Sequence, residues 1–427
     1  MTTFARRTAS LAAALSAVSF GLAPGLANAV DFDGYLRAGP GATSKNAARA
    51  CYNLGGVSVG HYRLGNECDF YGEFGLAQTG TVDGVAWKAK VMINQYNPGT
   101  DQGTSRSSFE QMYVEGKGFD IAPNTNFWIG KRFYGRSDVH IVDTFFVRMD
   151  GVGAGADEIS LAGGKLGVAY FSSDSGAGFG DSGTGTSTTP GNRLNADWTS
   201  IPVNPGGTLR VTATYTKGNY DNHVLIPATA TTPASTSGNG QSGVGLSLQH
   251  KQEITGIGGA NTVWLQFAQG SAGLDANFGN MTETSSVKKW RLVESVTWQT
   301  GPFGGQAIAL YGEHDKDDLT GAPKYKEISI GGRGSYALTK NFKLVAEAGY
   351  MEKKPDSQAT QKLAKFTFAP TLSTGPGFFN RPELRLYVTT AKWNAPANTA
   401  SGLGGLTGLG DGKTKGTSYG AQAEIWF

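Results

Sequence analysis

The sequence has little of what most functional classes require. Only two cysteines occur in 427 residues, Cys51 and Cys68, so neither a disulfide-rich scaffold nor a cysteine zinc site is available. After the first thirty residues, no stretch nears the roughly 18 consecutive apolar residues of a spanning helix, which excludes a helical membrane protein. The formal net charge is +3 with no basic cluster, and this excludes a nucleic-acid partner. No GxSxG, HExxH, P-loop or dinucleotide fingerprint stands in a suitable context. The five histidines, His61, His140, His223, His250 and His314, are scattered, so no nucleophile–base pair is nominated and an enzyme reading has no support.

Glycine, by contrast, is abundant: 63 residues, about twice the usual share of about 7%. With 39% hydrophobic and 11% aromatic residues, this composition argues for short strands and many turns. The N-terminus reads differently. Arg6 and Arg7 precede a run of Ala, Leu, Val, Ser and Gly, and Ala27-Asn28-Ala29 is a small-x-small cleavage site. Residues 1–29 are therefore expected to be an export signal, with an amphipathic first helix as the alternative, and 30–427 the mature domain. Export implies an oxidising compartment. Cys51 and Cys68 there fit one loop-closing disulfide, stabilising by about 3 kcal/mol on the chain-entropy model; two buried thiols are the alternative.

From residue 30 the chain falls into alternating segments. In a strand, side chains point to opposite faces with period two. Phe32, Gly34 and Leu36 oppose Asp33, Tyr35 and Arg37. Phe70, Gly72, Phe74 and Leu76 oppose Asp69, Tyr71 and Glu73. Leu209, Val211, Ala213 and Tyr215 oppose Arg210, Thr212, Thr214 and Thr216. Leu384, Leu386 and Val388 oppose Arg385, Tyr387 and Thr389. One face is apolar with aromatics near its ends (Phe32, Phe70, Trp87, Tyr215, Phe342, Tyr350), as a lipid-facing girdle requires; the other carries charge, which a water-filled lumen tolerates and a sandwich core does not. In lipid every backbone group must be bonded internally, so the sheet must close on itself. An all-β, closed antiparallel transmembrane barrel follows. The final strand, Tyr419 to Phe427, ends in Phe, resembling the terminal signature of bacterial outer-membrane barrels. Asn204-Pro205-Gly206-Gly207 reads as a short periplasmic turn, and Ser172–Ser200, Gly218–Gly243 and Ala395–Thr417 as long outer loops. At roughly ten residues per tilted strand, the length allows strands in the mid-to-high teens, wide enough for an aqueous channel.

On the inward face Tyr35 with Arg37, Tyr71 with Glu73, and Trp426 with Glu424 each pair a ring with a charge two residues apart. Rings stack on the CH faces of sugars and charges exchange hydrogen bonds with hydroxyls, so such a surface passes a carbohydrate along without a deep trap. Rings that merely seal the wall are the alternative.

Several blocks carry a resemblance. They are Val30–Arg37, Tyr62-Arg-Leu-Gly-Asn-Glu-Cys68, Trp128–Tyr134, Arg136-Ser-Asp-Val-His-Ile-Val-Asp143, Gly151–Gly155, Arg381-Pro382, Ala391–Trp393 and Tyr419–Phe427. Together they resemble maltoporin, the sugar-specific porin family of Gram-negative outer membranes, from one end of the mature chain to the other, with 171–340 the least similar. The resemblance implies an 18-stranded barrel with long extracellular loops and short periplasmic turns, a homotrimer in outer-membrane lipid, and a third loop folded into the lumen. It implies passive diffusion of maltose and maltodextrins, with no cofactor, along an aromatic slide flanked by an ionic track. Slide positions fall on Tyr35, Tyr71 and Trp426, and on Phe379, where the family usually has Trp. Track positions fall on Arg37, Arg63, Glu73, Arg136, Asp138 and Asp143. Cys51 and Cys68 match the family's first-loop disulfide.

Two departures stand out. Phe145 replaces the usual constriction Tyr, and Glu110 stands where a track Arg is expected. The second loop, Asn94–Ser105, lacks the Trp lent by a neighbouring subunit, with Tyr96 as its candidate replacement; a further slide aromatic maps near Val263-Trp264. Arg136 and Asp138 lean towards maltodextrin. A related sugar porin (sucrose or another oligosaccharide) or a general diffusion porin is the alternative reading, ahead of an outer-membrane barrel enzyme or a soluble β-sandwich enzyme.

Overall fold

A computed structural model describes residues 30–45, 47–99, 105–174, 190–218, 225–226, 235–236, 240–316 and 323–427. The proposed export signal at 1–29 and parts of the predicted outer loops lie outside the described residues. Eighteen strands close into one antiparallel barrel. They span Asp31–Ala38, Phe70–Val82, Val85–Asn97, Arg106–Lys117, Asn126–Arg132, Gly151–Leu161, Gly164–Ser173, Gly191–Asn204, Gly207–Gly218, Ser242–Ile254, Gly259–Gly270, Lys288–Thr300, Phe303–His314, Tyr325–Ala337, Phe342–Pro355, Gln361–Ser373, Glu383–Trp393 and Lys415–Trp426. A short strand, Gly41–Thr43, resumes the first one beyond Gly39-Pro40. Closure is made by Asp31–Ala38, whose Tyr35 sits opposite both Trp426 and Glu73.

The alternation falls as the sequence suggested. Phe32, Phe74, Leu76, Leu384, Leu386 and Val388 are exposed on the outside, while Arg385, Thr389, Gln422 and Glu424 are buried on the inside. Among the described residues no helix is long and apolar enough to cross a membrane. Two-residue turns gather at the end of the barrel that holds both chain ends of this domain. Asp83-Gly84 (φ 49° and 83°) has the left-handed pair that matches the twist of flanking strands, and Asn204 and Gly207 close the predicted Pro205-Gly206 turn. Long connections occupy the other end. The stretch predicted as a loop from Ser172 to Ser200 is shorter, because Gly191–Asn204 is strand. Its Asn and Asp residues are not loop polarity: Asn195 and Asp197 are buried on the inner wall, where the Asn195 amide donates to Thr214 at 2.8 Å.

The lumen is less open than charge on the inner face suggested. The first loop, 39–69, folds inward; Cys51 and Cys68 are joined (Cα–Cα 5.9 Å), which decides against two thiols. Its Tyr62 ring lies flat on the wall at Gly331 and Gly349, where a Cβ would come within 2.5 and 2.0 Å of it. The third loop, 133–150, crosses the lumen as a hairpin, Ser137–Val139 against Thr144–Val147. Val139, Ile141, Phe146 and Met149 are buried in it, and Phe146 meets Trp264 on the far wall at 5.2 Å. Beneath these loops, inner-face charges are ion-paired rather than wet: Arg333 to Glu347 at 2.7 Å and Lys343 to Glu383 at 2.6 Å. Water alone does not solvate them, so pairing is required.

Candidate solute path

An aromatic strip descends one wall between the first loop and the third. Tyr96 and Tyr71 face each other across neighbouring strands at 6.5 Å, and Tyr71 lies 6.3 Å from Tyr35. Trp426 stands opposite Tyr35 in the register, and its ring meets His140 at 5.4 Å. His140 then meets Phe379 at 6.0 Å, and Phe379 packs on Phe378 at 4.8 Å. Period two sets the faces of Tyr71, Tyr35 and Trp426. Phe379 enters instead from the connection between Gln361–Ser373 and Glu383–Trp393, at the short-turn end. The strip therefore runs from the loop end of the barrel to the turn end.

Charges face the rings. Arg37 makes two bonds to Asp69 (2.9 and 2.6 Å), one to Glu67 at 2.8 Å and one to Asp143 at 3.0 Å. Arg63 joins Glu67 at 2.7 Å and Glu424 at 3.0 Å, and donates to the Tyr35 hydroxyl. The Tyr71 hydroxyl donates to Glu73. Arg136 and Arg148 converge on Asp150 at 2.6 and 3.0 Å, with both guanidinium groups near the Phe145 ring, at 4.7 and 5.0 Å from its centre. A cavity of about 650 Å³ brings together Tyr35, Arg37, Arg63, Tyr71, Glu73, Arg136, Asp138, Asp143, Phe145 and Trp426.

The two remaining sequence-selected residues lie apart from that cavity. Phe379 is 45% exposed at the turn end. Glu110 is buried in the wall because the ladder slips there: Met92 pairs with Gln111 and Ile93 with Phe109, so a bulge turns Glu110 and Gln111 inward together. Its carboxylate accepts from Asn94 at 2.6 Å and Ser108 at 3.0 Å. Trp264 does not join the strip; it is 2% exposed, pressed on Phe146.

The third loop carries two carboxyls in different states. Desolvation inside the lumen raises the Asp138 carboxyl, and the nearby Asp143 charge adds to that rise. Desolvation would raise Asp143 too, but Arg63 and Arg37 beside it hold it well below the usual carboxylate range. Burial also keeps the His140 imidazole neutral, well below its usual pKa. The sequence reading set Asp69 on the face of Tyr71 and Glu73 without giving it a role, and passed over His140, Glu67 and Arg148. Those three lie on loops, where no strand period assigns a face; only the quoted blocks containing Glu67 and His140 drew attention to them.

The arrangement offers rings for stacking and paired charges for hydroxyls, with no nucleophile beside a base. Among solved structures, OprD from Pseudomonas aeruginosa matches at 9% identity over 95% of this chain and 95% of that one, with a TM-score of 0.48. An anion-selective porin from Comamonas acidovorans matches at 12% identity over 93% and 100% of the two chains, TM-score 0.46. The outer membrane protein OmpT of Vibrio cholerae, in its trimer form, matches at 10% identity over 94% and 100%, TM-score 0.44. The family model described as LamB porin matches residues 30–427, the whole of the barrel. An outer-membrane channel rather than an enzyme accounts for that match, and the chain belongs to the LamB porin family.

Proposed function

We propose that this protein conducts maltose and maltodextrins across the outer membrane by facilitated passive diffusion, as a homotrimer exported with a cleaved signal. The observation that carries this reading is the succession of rings Tyr96, Tyr71 and Tyr35, continued by Trp426 opposite Tyr35 in the register and through His140 to Phe379, with Arg37, Arg63, Glu73, Asp138 and Asp143 alongside. A glucose unit stacks on one ring while its hydroxyls exchange hydrogen bonds with the paired charges. The next ring is near enough to take over before the first contact is fully lost. Shallow successive sites allow both entry and release, which conduction requires. Charged pairs accept and donate at once, so they replace hydration without committing to a net charge on the solute.

Phe145 and Glu110 favour attention to a second sugar, sucrose. Phe145 lacks the constriction hydroxyl, and its ring is flanked by two guanidinium groups. Bilayer conductance titrated with maltotriose, maltohexaose and sucrose separates the readings. Blockade that tightens from maltotriose to maltohexaose supports the maltodextrin path; tighter blockade by sucrose replaces it with a sucrose porin. Current indifferent to all three sugars leaves a general diffusion porin.

A further inference from the structure

Between the two arginines of the path lies a carboxylate that the sequence reading did not single out. The Glu67 side chain is 4% exposed. One oxygen accepts from Arg37 at 2.8 Å and from Arg63 at 2.7 Å; the other accepts from the Gln422 amide at 2.7 Å. Two guanidinium groups held this close repel each other, and Glu67 is the carboxylate they share within hydrogen-bond distance. The outer acids each serve one partner more closely: Asp69 binds Arg37, and Glu424 binds Arg63 at 3.0 Å.

Glu67 is itself pinned on both sides along the chain. Cys68 follows it and is bonded to Cys51. Asn66 precedes it, and the Asn66 side chain accepts from the Tyr52 amide at 2.7 Å and donates to the Tyr52 carbonyl at 3.2 Å. Tyr52, next to Cys51, is 1% exposed and packs on Trp393 at 5.4 Å. The covalent bond and the Asn66–Tyr52 pair thus fix three successive residues against the wall, with the carboxylate in the middle.

We propose that Glu67 is a positioning and selectivity residue of this channel: fixed by the Cys51–Cys68 bond, it holds Arg37 and Arg63 at the path, setting how long a sugar resides there and which ion sign passes. The sugar part rests on the maltodextrin reading; the ion part does not. With the charge of Glu67 removed, Arg37 and Arg63 lose the anion hydrogen-bonded to both and keep in common only Asp143, at 3.0 and 3.8 Å; the local field turns more positive and both side chains gain freedom.

The test uses the full channel in planar bilayers, with the reversal potential in a KCl gradient and maltohexaose blockade read from the same membrane. For Glu67→Gln, a reversal potential displaced towards anions and maltohexaose leaving about tenfold faster are expected, the loss of one charge-assisted bond. Glu67→Asp keeps the charge and is expected to return the reversal potential towards that of the unaltered protein. Dithiothreitol added to the assembled unaltered channel loosens the segment while keeping every charge, so faster sugar departure with an unmoved reversal potential is expected; this arm stands even if Glu67→Gln fails to assemble. Unchanged reversal potential and departure rate in Glu67→Gln overturn the proposal, as does a Glu67→Asp channel with the same displaced reversal potential as Glu67→Gln. A protein that maltohexaose never blocks refutes the maltodextrin reading instead, and the reversal potentials still decide the role of Glu67 in ion selectivity.

Discussion

Replacing Trp426 with alanine tests the aromatic strip where the wall meets the third loop, at His140. Trp426 is 38% exposed, and the Arg381 guanidinium covers one of its faces at 4.3 Å from the ring centre. Taking about 250 Å² for a fully accessible indole side chain leaves about 95 Å² for a solute. A single pyranose face covers about half of that and loses a similar area itself, so about 90 Å² of largely apolar surface leaves water, worth about 2 kcal/mol at about 25 cal/mol per Å². At about 1.4 kcal/mol per tenfold, Trp426→Ala shortens the residence of maltohexaose by about 10- to 30-fold. The assay is current noise in planar bilayers under a maltohexaose titration, which reads the departure rate directly. Because the change lies in contact made after entry, the arrival rate is expected to stay near that of the unaltered channel. A departure rate within about twofold of the original would refute the reasoning, since no comparable contact area could then be lost at this ring.

Other expectations follow from the same geometry. Glu110→Arg replaces a wall carboxylate held by Asn94 and Ser108 with a cation, so the reversal potential in a KCl gradient shifts towards anions. Lowering the pH neutralises the raised Asp138 before Asp143, because desolvation raises the first while Arg63 and Arg37 hold the second down. Loss of a negative charge makes the channel less cation-preferring as pH falls, and Asp138→Asn removes that dependence in reversal-potential measurements. Gly349→Ala sets a Cβ 2.0 Å from the buried Tyr62 ring. It costs about 1–3 kcal/mol of first-loop docking, read as faster proteolysis of that loop in the folded channel.

The strand faces were legible because a closed sheet in lipid leaves little choice. Its outer side must be apolar, its backbone bonds must pair around the ring, and each inward side chain then falls on every second position. Tyr35, Tyr71, Glu73 and Trp426 were placed by that rule alone. The rule failed where the ladder slips. A bulge beside Met92 turned Glu110 inward beside Gln111, two successive residues on one face, which strict alternation forbids. It failed again at Gly191–Asn204, where polar residues of an inner wall were read as loop. Polarity in a sequence does not distinguish water above the barrel from buried partners inside it.

Loop residues were legible only through resemblance. The block from Arg136 to Asp143 names Asp138, His140 and Asp143, yet nothing in its order says that the hairpin crosses the lumen and leans on Trp264. That outcome depends on Phe146 finding an apolar seat on a strand more than a hundred residues away, and on Tyr62 finding the bare backbone of Gly331 and Gly349. Likewise, an alternating pattern located arginines and acids on the inner wall but left open whether they would be wet or paired. The loops that cover them decided for pairing, since a charge without water needs a counter-charge.

By itself the sequence determined a closed antiparallel cylinder, greasy outside and polar within, because period two and the lipid solvent act residue by residue along each strand. Only the tertiary structure decided where the hole narrows, that His140 completes the row of rings, and that Glu67 sits between Arg37 and Arg63. Those contacts join segments far apart in the chain, and their geometry comes from packing of loops against the wall, which no local pattern encodes.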